Sequence, residues 1–255
     1  MSRPPRPVPD SLRLAPLADL PAVQPGDDLA ALLWDAAQRS GLSLAHGHLV
    51  VCQKIVSKAE GRLVRLAEVE PSEEATRIAA EDDKDPRQVE LVLRESTRIV
   101  RRGHGALITQ THHGFVCANA GVDLSNAPEE TAVLLPEDPD ASAAHLHRAL
   151  EARGAGPLGV VVSDTFGRPW REGLVDVAIG VAGFAPITDL RGERDWAGRE
   201  LQVTATATAD QLAAAAGILM GKDLGIPAVW IEGVPVEGSG RLTDTIRDPE
   251  TDLFR

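Results

Sequence analysis

Tyrosine is absent from this 255-residue chain, and the other aromatics are few, four Phe and four Trp. A core must therefore rest on Val, Leu, Ile and Ala. Cysteine is almost absent too: Cys52 and Cys117 are the whole supply, too few for a disulfide framework, although a single bridge stays open. Both lie in apolar runs that read as strands, where Cys behaves as a small buried hydrophobe. No apolar run reaches the roughly 18 residues of a membrane-spanning helix. Residues 1–10 are rich in Pro and Arg and carry no apolar segment of the signal-peptide kind. A cytoplasmic location without a membrane partner is the expectation. Basic residues are outnumbered, 26 against 38 acidic ones, for a net charge of -12. Nucleic acid is thereby disfavoured as a partner, because phosphate backbones demand clustered Lys and Arg. A local basic pocket for a phosphorylated ligand remains compatible with an acidic whole.

Several familiar motifs are missing as well. Gly217-Ile218-Leu219-Met220-Gly221-Lys222-Asp223 holds a Gly-Lys pair, but neither the spacing nor the following hydroxyl of a P-loop. No complete GxGxxG, HExxH, CxxC or GxSxG pattern occurs. His46, His48, His112 and His113 form two close pairs, more in keeping with structural or surface roles than with zinc.

What is present reads as a mixture of helices and strands. Residues 1–13, with four prolines in the first nine, are expected to be a flexible extension, and 14–255 a catalytic domain with room for two interleaved lobes. Asp27 is placed to cap a helix running to Ser40-Gly41. Residues 48–56 read as a strand. Ser72 opens a helix, and Asp85-Pro86 a second one whose apolar face runs through Val89, Val92, Leu93 and Ile99. A hairpin is expected around His112-His113, a helix over 140–153, and strands over 158–163, 175–184, 201–207 and 228–231. An Ala-rich helix is expected over 209–221. Without a regular βαβ rhythm, the fold class is α+β, a two-lobed mixture that is neither Rossmann nor P-loop.

Four segments carry candidate chemistry. Ser163-Asp164-Thr165-Phe166-Gly167-Arg168-Pro169-Trp170-Arg171 follows a buried strand. Asp164 and Thr165 offer the hard oxygens that Mg²⁺ or Mn²⁺ prefers, and Arg168 and Arg171 suit phosphate. A capped turn with a surface salt bridge explains the same residues. Asn119-Ala120-Gly121-Val122-Asp123-Leu124-Ser125-Asn126 gives a second carboxylate, Asp123, in a stretch that Asx-turns also favour. Gln53-Lys54-Ile55-Val56-Ser57-Lys58 places two ammonium groups at a strand end, for phosphates or for solvent. Residues 191–201 form a charged loop, either solvated or receiving an anionic substrate.

Together these segments, with Pro25-Gly26-Asp27-Asp28-Leu29, Val56-Ser57-Lys58-Ala59-Glu60-Gly61, residues 195–201 and Met220-Gly221, resemble the coenzyme F-420-0:L-glutamate ligase family from about Leu14 to Val234. The resemblance implies a GTP-dependent ligase of coenzyme F-420 biosynthesis, working as a two-lobed homodimer. It would join L-glutamate to a deazaflavin precursor bearing a lactyl phosphodiester tail, through an acyl phosphate. Asp123 and Asp164 then resemble ligands of one divalent metal, Mg²⁺ or Mn²⁺, with Thr165 near a second. A monovalent cation such as K⁺ stays open as a further cofactor. Asp19-Leu20-Pro21-Ala22, Gln53, Lys54, Lys58 and Asn126 fall where the family binds GTP, as does the stretch from Met220 and Gly221 to Pro227. With Arg168, the two lysines would stabilise the transferring group. Lys222 departs from the family, whose members often carry Glu or Gln there. A charged ammonium has no lone pair for a metal, so the second metal site would be built differently, or Lys222 would place its charge beside the phosphates. Two rivals accompany this reading: another metal-dependent ligase or phosphatase, and a nucleotide- or flavin-binding protein without chemistry.

Overall fold

A computed structural model describes residues 10–103, 105–125 and 129–253. The greater part of the expected extension, residues 1–9, and the candidate Asn126 lie outside the described residues. In chain order the elements are β1 (Arg13–Pro16), α1 (Leu29–Arg39), β2 (Gly47–Cys52), α2 (Gln53–Ala59), β3 (Leu63–Arg65), α3 (Glu73–Asp82), α4 (Pro86–Arg94), β4 (Ser96–Gly103), β5 (Ala106–Thr111), β6 (Val116–Ala118), β7 (Thr131–Val133), α5 (Pro139–Ala152), β8 (Leu158–Arg168), β9 (Arg171–Ala182), β10 (Thr188–Asp189), β11 (Ala205–Thr206), α6 (Thr208–Gly217) and β12 (Ala228–Glu232). The mixture is α+β, as the sequence implied.

The principal sheet has the order β1-β12-β2-β8-β9. Only its central pair, β2 with β8, runs parallel; β1–β12, β12–β2 and β8–β9 are antiparallel. The central strands read as continuous apolar runs because both faces are covered. Leu49, Val50 and Val51 of β2 and Val160, Val161 and Val162 of β8 are fully buried. They share a core with Leu33 of α1, Leu150 of α5, Ala213 of α6 and Trp230 of β12. Gly180 of β9 explains how α5 comes so near the sheet: a Cβ there would stand 2.2 Å from the Pro139 carbonyl oxygen. The glycine that weakens this strand by propensity is required by the packing.

A second core is drawn from one continuous stretch, Leu66 to Leu134, inserted between α2 and α5. There Ile78 and Ala79 of α3 and Val89 and Val92 of α4 meet Leu107 of β5, with Ala120, Val122 and Ala132. Its sheet is the antiparallel β4-β5-β6, and β3 pairs with β7 beside it. The two cores are the two lobes. Ser72 caps α3, its hydroxyl accepting the Ala75 N–H at 3.2 Å, and Asp85 caps α4 ahead of Pro86. Both caps fall where the sequence put them.

Several boundaries differ from the sequence reading. Asp28 rather than Asp27 caps α1, accepting the Ala31 N–H at 2.9 Å, while Asp27 accepts the Gln24 N–H. The expected strand 48–56 is β2 followed at once by α2, because burial makes Ile55 and Val56 equally suited to a helix face. Ile99 lies in β4, not on the α4 face. The strand expected over 201–207 shrinks to β11, and α6 ends at Gly217 rather than at 221. Among the described residues no helix is long and apolar enough to cross a membrane.

Candidate functional site

A cleft of about 720 Å³ opens between the two lobes. Four parts of the chain build most of it, and Leu174 and Asp176 of β9 complete the lining. The first is α2. It begins immediately after β2, so Lys54 and Lys58, one helical turn apart, both face the cleft. The second is the turn after β6, where Asn119, Ala120 and Gly121 take left-handed backbone angles, φ 52°, 52° and 72°. Such a run is costly for residues with a Cβ, and it carries the chain back so that Asp123 meets Val133, with mutual backbone hydrogen bonds of 3.0 and 2.8 Å. The third is the far half of β8, from Ser163 to Gly167. The fourth is the segment 220–227, facing Leu20, Pro21, Ala22 and Val23.

Charges of both signs meet here. The Lys54 ammonium lies 2.8 Å from Asp123 Oδ2 and donates to Ser125 Oγ at 2.7 Å. Asp123 Oδ1 also accepts the Ser125 N–H at 2.6 Å. Burial opposes the ionisation of Asp123, but Lys54 and Ser125 outweigh it and hold the carboxyl below its usual range. Asp164 is in the reverse condition. Burial, with the nearby charges of Asp123 and Asp176, pushes it up to about 7, against the pull of the Thr165 N–H and Lys54. A carboxyl so placed gains most from a further cation. Burial raises the Cys52 thiol to about 11 and the Cys117 thiol to about 12, so both stay protonated near neutrality and serve as cleft wall.

Most of the residues singled out in the sequence gather at this cleft. Leu20, Pro21, Lys54, Lys58, Asp123, Asp164, Thr165, Met220, Gly221 and Lys222 line it. Gln53 does not: its side chain is buried beneath α2 and accepts the Ser57 hydroxyl at 2.9 Å. Arg168 does not either. The expected loop after the strand is itself strand, because β8 runs on to Arg168 and pairs with β9, and Arg168 donates to the Glu172 and Gly173 carbonyls near the hairpin end. The charged segment 191–201 also stands apart from the lining. Arg191 pairs with Asp189, Arg194 donates to the Gly198 carbonyl at 2.6 Å, and Trp196 is fully exposed. His48, His112 and His113 are structural by their contacts. His48 Nε2 lies 3.2 Å from the Pro235 carbonyl, His112 Nε2 2.8 Å from that of Arg94, and His113 Nε2 2.9 Å from that of Pro136.

Asp176 lines the cleft without having been foreseen, whereas Asp223 falls within the expected stretch from Met220 to Pro227. For Asp176 a signal existed: an acid between Val175 and Val177 in an otherwise apolar strand needs a partner. It has one, since Thr165 Oγ1 donates to Asp176 Oδ1 at 2.6 Å.

The residues present suit a cation of the oxygen-loving kind. Among the described residues no three His, Cys, Asp or Glu side chains converge into a ready-made metal cage. Mg²⁺ characteristically uses one or two carboxylates and completes its shell with water and substrate phosphate. Asp123, Asp164 and the Thr165 hydroxyl are donors of that kind, and a transition-metal site of His and Cys is not indicated.

Residues 18–233 match the model of the family described as F420-0:Gamma-glutamyl ligase. Among curated proteins, the chain is similar to the coenzyme F420:L-glutamate ligase of Methanothermobacter thermautotrophicus, 48% identical over 92% of this chain and 96% of the relative. That of Methanopyrus kandleri is 46% identical over 96% and 98%, and that of Archaeoglobus fulgidus 41% identical over 94% and 95%. Similarity of this extent, covering both lobes and every wall of the cleft, settles the ancestry: the chain belongs to the F420-0:gamma-glutamyl ligase family.

Proposed function

We propose that the protein joins L-glutamate to the deazaflavin precursor of coenzyme F-420, with GTP as the energy source. One observation carries the reading beyond the family match. Two carboxylates from different lobes, Asp123 and Asp164, face one cleft together with Lys54 and Lys58. Paired acids beside paired lysines suit a phosphoryl group that travels with a divalent cation. A protein that only bound a nucleotide would have little use for them.

A carboxylate and an amine do not condense in water unless the carboxylate is activated. The acceptor's terminal carboxylate oxygen attacks the γ-phosphorus of GTP, the β–γ oxygen bond breaks, and GDP leaves. The glutamate nitrogen then attacks the acyl carbon of the acyl phosphate, phosphate departs with the electrons of the C–O bond, and the nitrogen gives up a proton. The protein contributes mainly positioning and charge balance. Asp123, Asp164 and Thr165 would hold Mg²⁺ or Mn²⁺, which supplies positive charge to phosphate oxygens when bound. Lys54 and Lys58 neutralise the transferring phosphoryl group. Lys222, on the cleft wall, adds charge beside the phosphates rather than a metal ligand. Leu20, Val23, Ile55, Phe166 and Ile226 make much of the remaining wall apolar or partly so. They limit the water that would otherwise hydrolyse the activated acyl group. The working form is read as a cytoplasmic homodimer. Trp170 and Leu174, 83% and 62% exposed, are apolar surface suited to a second subunit.

Mass spectrometry of a reaction containing the protein, GTP, Mg²⁺ or Mn²⁺, L-glutamate and the unglutamylated deazaflavin tests this directly. The acceptor should gain one or more glutamyl units with GTP and not with ATP, and parallel reactions with and without K⁺ read any monovalent requirement. Asp164→Ala should slow the reaction on the order of 10²-fold or more, the scale of a lost transition-state electrostatic contact. GTP consumed without a heavier acceptor would favour a phosphatase or another ligase; GTP left intact would favour a binding protein.

A further inference from the structure

We infer that Asp176 is a positioning residue of this site: it takes the Thr165 hydroxyl hydrogen and leaves Thr165 facing the cleft with lone pairs alone. The inference rests on the metal-dependent reading above and adds a residue which that reading does not need.

The geometry begins with strand register. Thr165 of β8 lies directly opposite Asp176 of β9, so their side chains project from the same face of the hairpin, within reach of each other. Thr165 Oγ1 and Asp176 Oδ1 are 2.6 Å apart, and both residues line the cleft. The direction of this bond is fixed by chemistry. An ionised carboxylate can only accept, whereas a hydroxyl has one hydrogen to give and two lone pairs to offer. The hydrogen must therefore come from Thr165. The Asp176 carboxyl is itself confined, because α6 passes close over it. A Cβ on Gly217 would stand 2.7 Å from Asp176 Oδ2 and 3.2 Å from its Cβ. Little room is left for a second rotamer.

The consequence concerns what the cleft can bind. With its hydrogen committed, Thr165 cannot donate to a phosphate oxygen. Thr165 and Asp176 form a pair that accepts and does not donate, and an anion approaches it favourably only through a cation. If Asp176 is removed, the hydroxyl is free to rotate and bond a phosphate oxygen directly. The carboxylate thus sets Thr165 to work for a cation rather than for the phosphate itself. This is the orienting role that outer hydrogen-bond partners of metal ligands play.

The test is a titration of the purified protein with Mn²⁺, reading the free ion by electron paramagnetic resonance, with thermal unfolding in metal-free buffer alongside. Asp176→Ala and Thr165→Val should each weaken Mn²⁺ binding on the order of ten- to a hundredfold. The double variant should be no weaker than the worse single one, since both remove the same bonded unit. Metal-free unfolding should stay within a few degrees of the parent, as a merely structural pair would not predict. Asp176→Asn guards against a misfolded alanine variant. Its amide oxygen still accepts the hydroxyl, so it should lose less Mn²⁺ affinity than Thr165→Val does. Unchanged Mn²⁺ affinity in Asp176→Ala, additive losses in the double variant, or an Asn variant as weak as Thr165→Val would each overturn the inference. Asp164→Ala separates the two levels. If it binds Mn²⁺ as tightly as the parent, the metal reading itself fails. If it is weakened while Asp176→Ala is not, only the role of Asp176 fails.

Discussion

A single residue shows how much of this molecule's chemistry depends on which neighbours a side chain finds. His48, in a sequence pair with His46, could be taken for a metal ligand. In the fold it is fully buried, edge-on to Phe184 at a ring separation of 4.6 Å, and Nε2 must carry its hydrogen toward the Pro235 carbonyl. Nδ1 has no partner among the described residues. Protonation would set an N–H in the core with nothing to accept it, and burial lowers the His48 pKa accordingly, against the two carbonyls of Pro235 and Val234 that raise it. The sign follows from linkage. The unfolded chain takes up a proton near the usual value of about 6.5, while the folded chain takes it up only at lower pH. The contribution of His48 to stability is therefore complete above about pH 6.5 and falls away as pH drops toward the folded value. Urea midpoints at pH 8 and 5.5 check it. The parent should lose more stability between the two than His48→Gln, which does not titrate, and equal losses would show that other groups govern the acid limb.

At the scale of elements, the turn that delivers Asp123 makes the sharpest prediction. Gly121 has φ 72°, and a Cβ there would lie 2.7 to 2.8 Å from three atoms of the Leu135 side chain. Gly121→Ala should cost about 1–3 kcal/mol by strain and overpacking together. Because Asp123 is two residues on, ligase turnover should fall further than the lost stability accounts for, measurable as kcat at a temperature where the variant remains folded. The same element shows what the sequence could and could not disclose. Residues 119–126 were legible as a segment offering a second carboxylate, Asp123. Their left-handed run was not, since Ala120 has no propensity for it and is held there by the second core. Caps at Ser72 and Asp85 were legible because a cap is a local hydrogen bond. The β8–β9 hairpin was only half legible. Gly167, Pro169 and Gly173 signal a loop, and it is the pairing of β8 with β9, a non-local contact, that makes the flanking residues strand. That pairing also turns Arg168 away and brings Asp176 in, which is why the former was expected at the site and the latter was not. Helix α2 was hidden for a related reason: only Gln53 and Lys54 separate Cys52 of β2 from Ile55 and Val56, and no Gly or Pro marks the boundary.

For the whole molecule, the question is what ties two cores into one cleft. Part of the answer lies after the last strand. Asp140, in the first turn of α5 and 4% exposed, accepts the backbone N–H groups of Val181 and Leu242 at 2.9 Å each through Oδ1. Through Oδ2 it accepts the Thr243 N–H at 3.3 Å and the Thr243 hydroxyl at 3.2 Å, with Arg241 3.5 Å away. One buried carboxylate thus fastens the C-terminal segment to α5 and β9. Leu242 enters the larger core, and Ile246 reaches the β5–β6 hairpin of the other lobe, where a Cβ on Gly114 would come within 3.0 Å of it. The segment reaches both lobes and supplies no residue to the cleft lining, so its loss should separate stability from chemistry. Asp140→Ala leaves several buried donors and one guanidinium without their acceptor, a defect worth about 3 kcal/mol or more. Proteolysis should then cut within residues 241–253 well before the rest of the chain opens, because segments with few remaining contacts unfold locally first. At a temperature where the lobes stay folded, the affinity for Mn²⁺ should remain near that of the parent. If Mn²⁺ affinity fell together with protease resistance, the C-terminal segment would be holding the lobes at their working separation as well as holding itself in place.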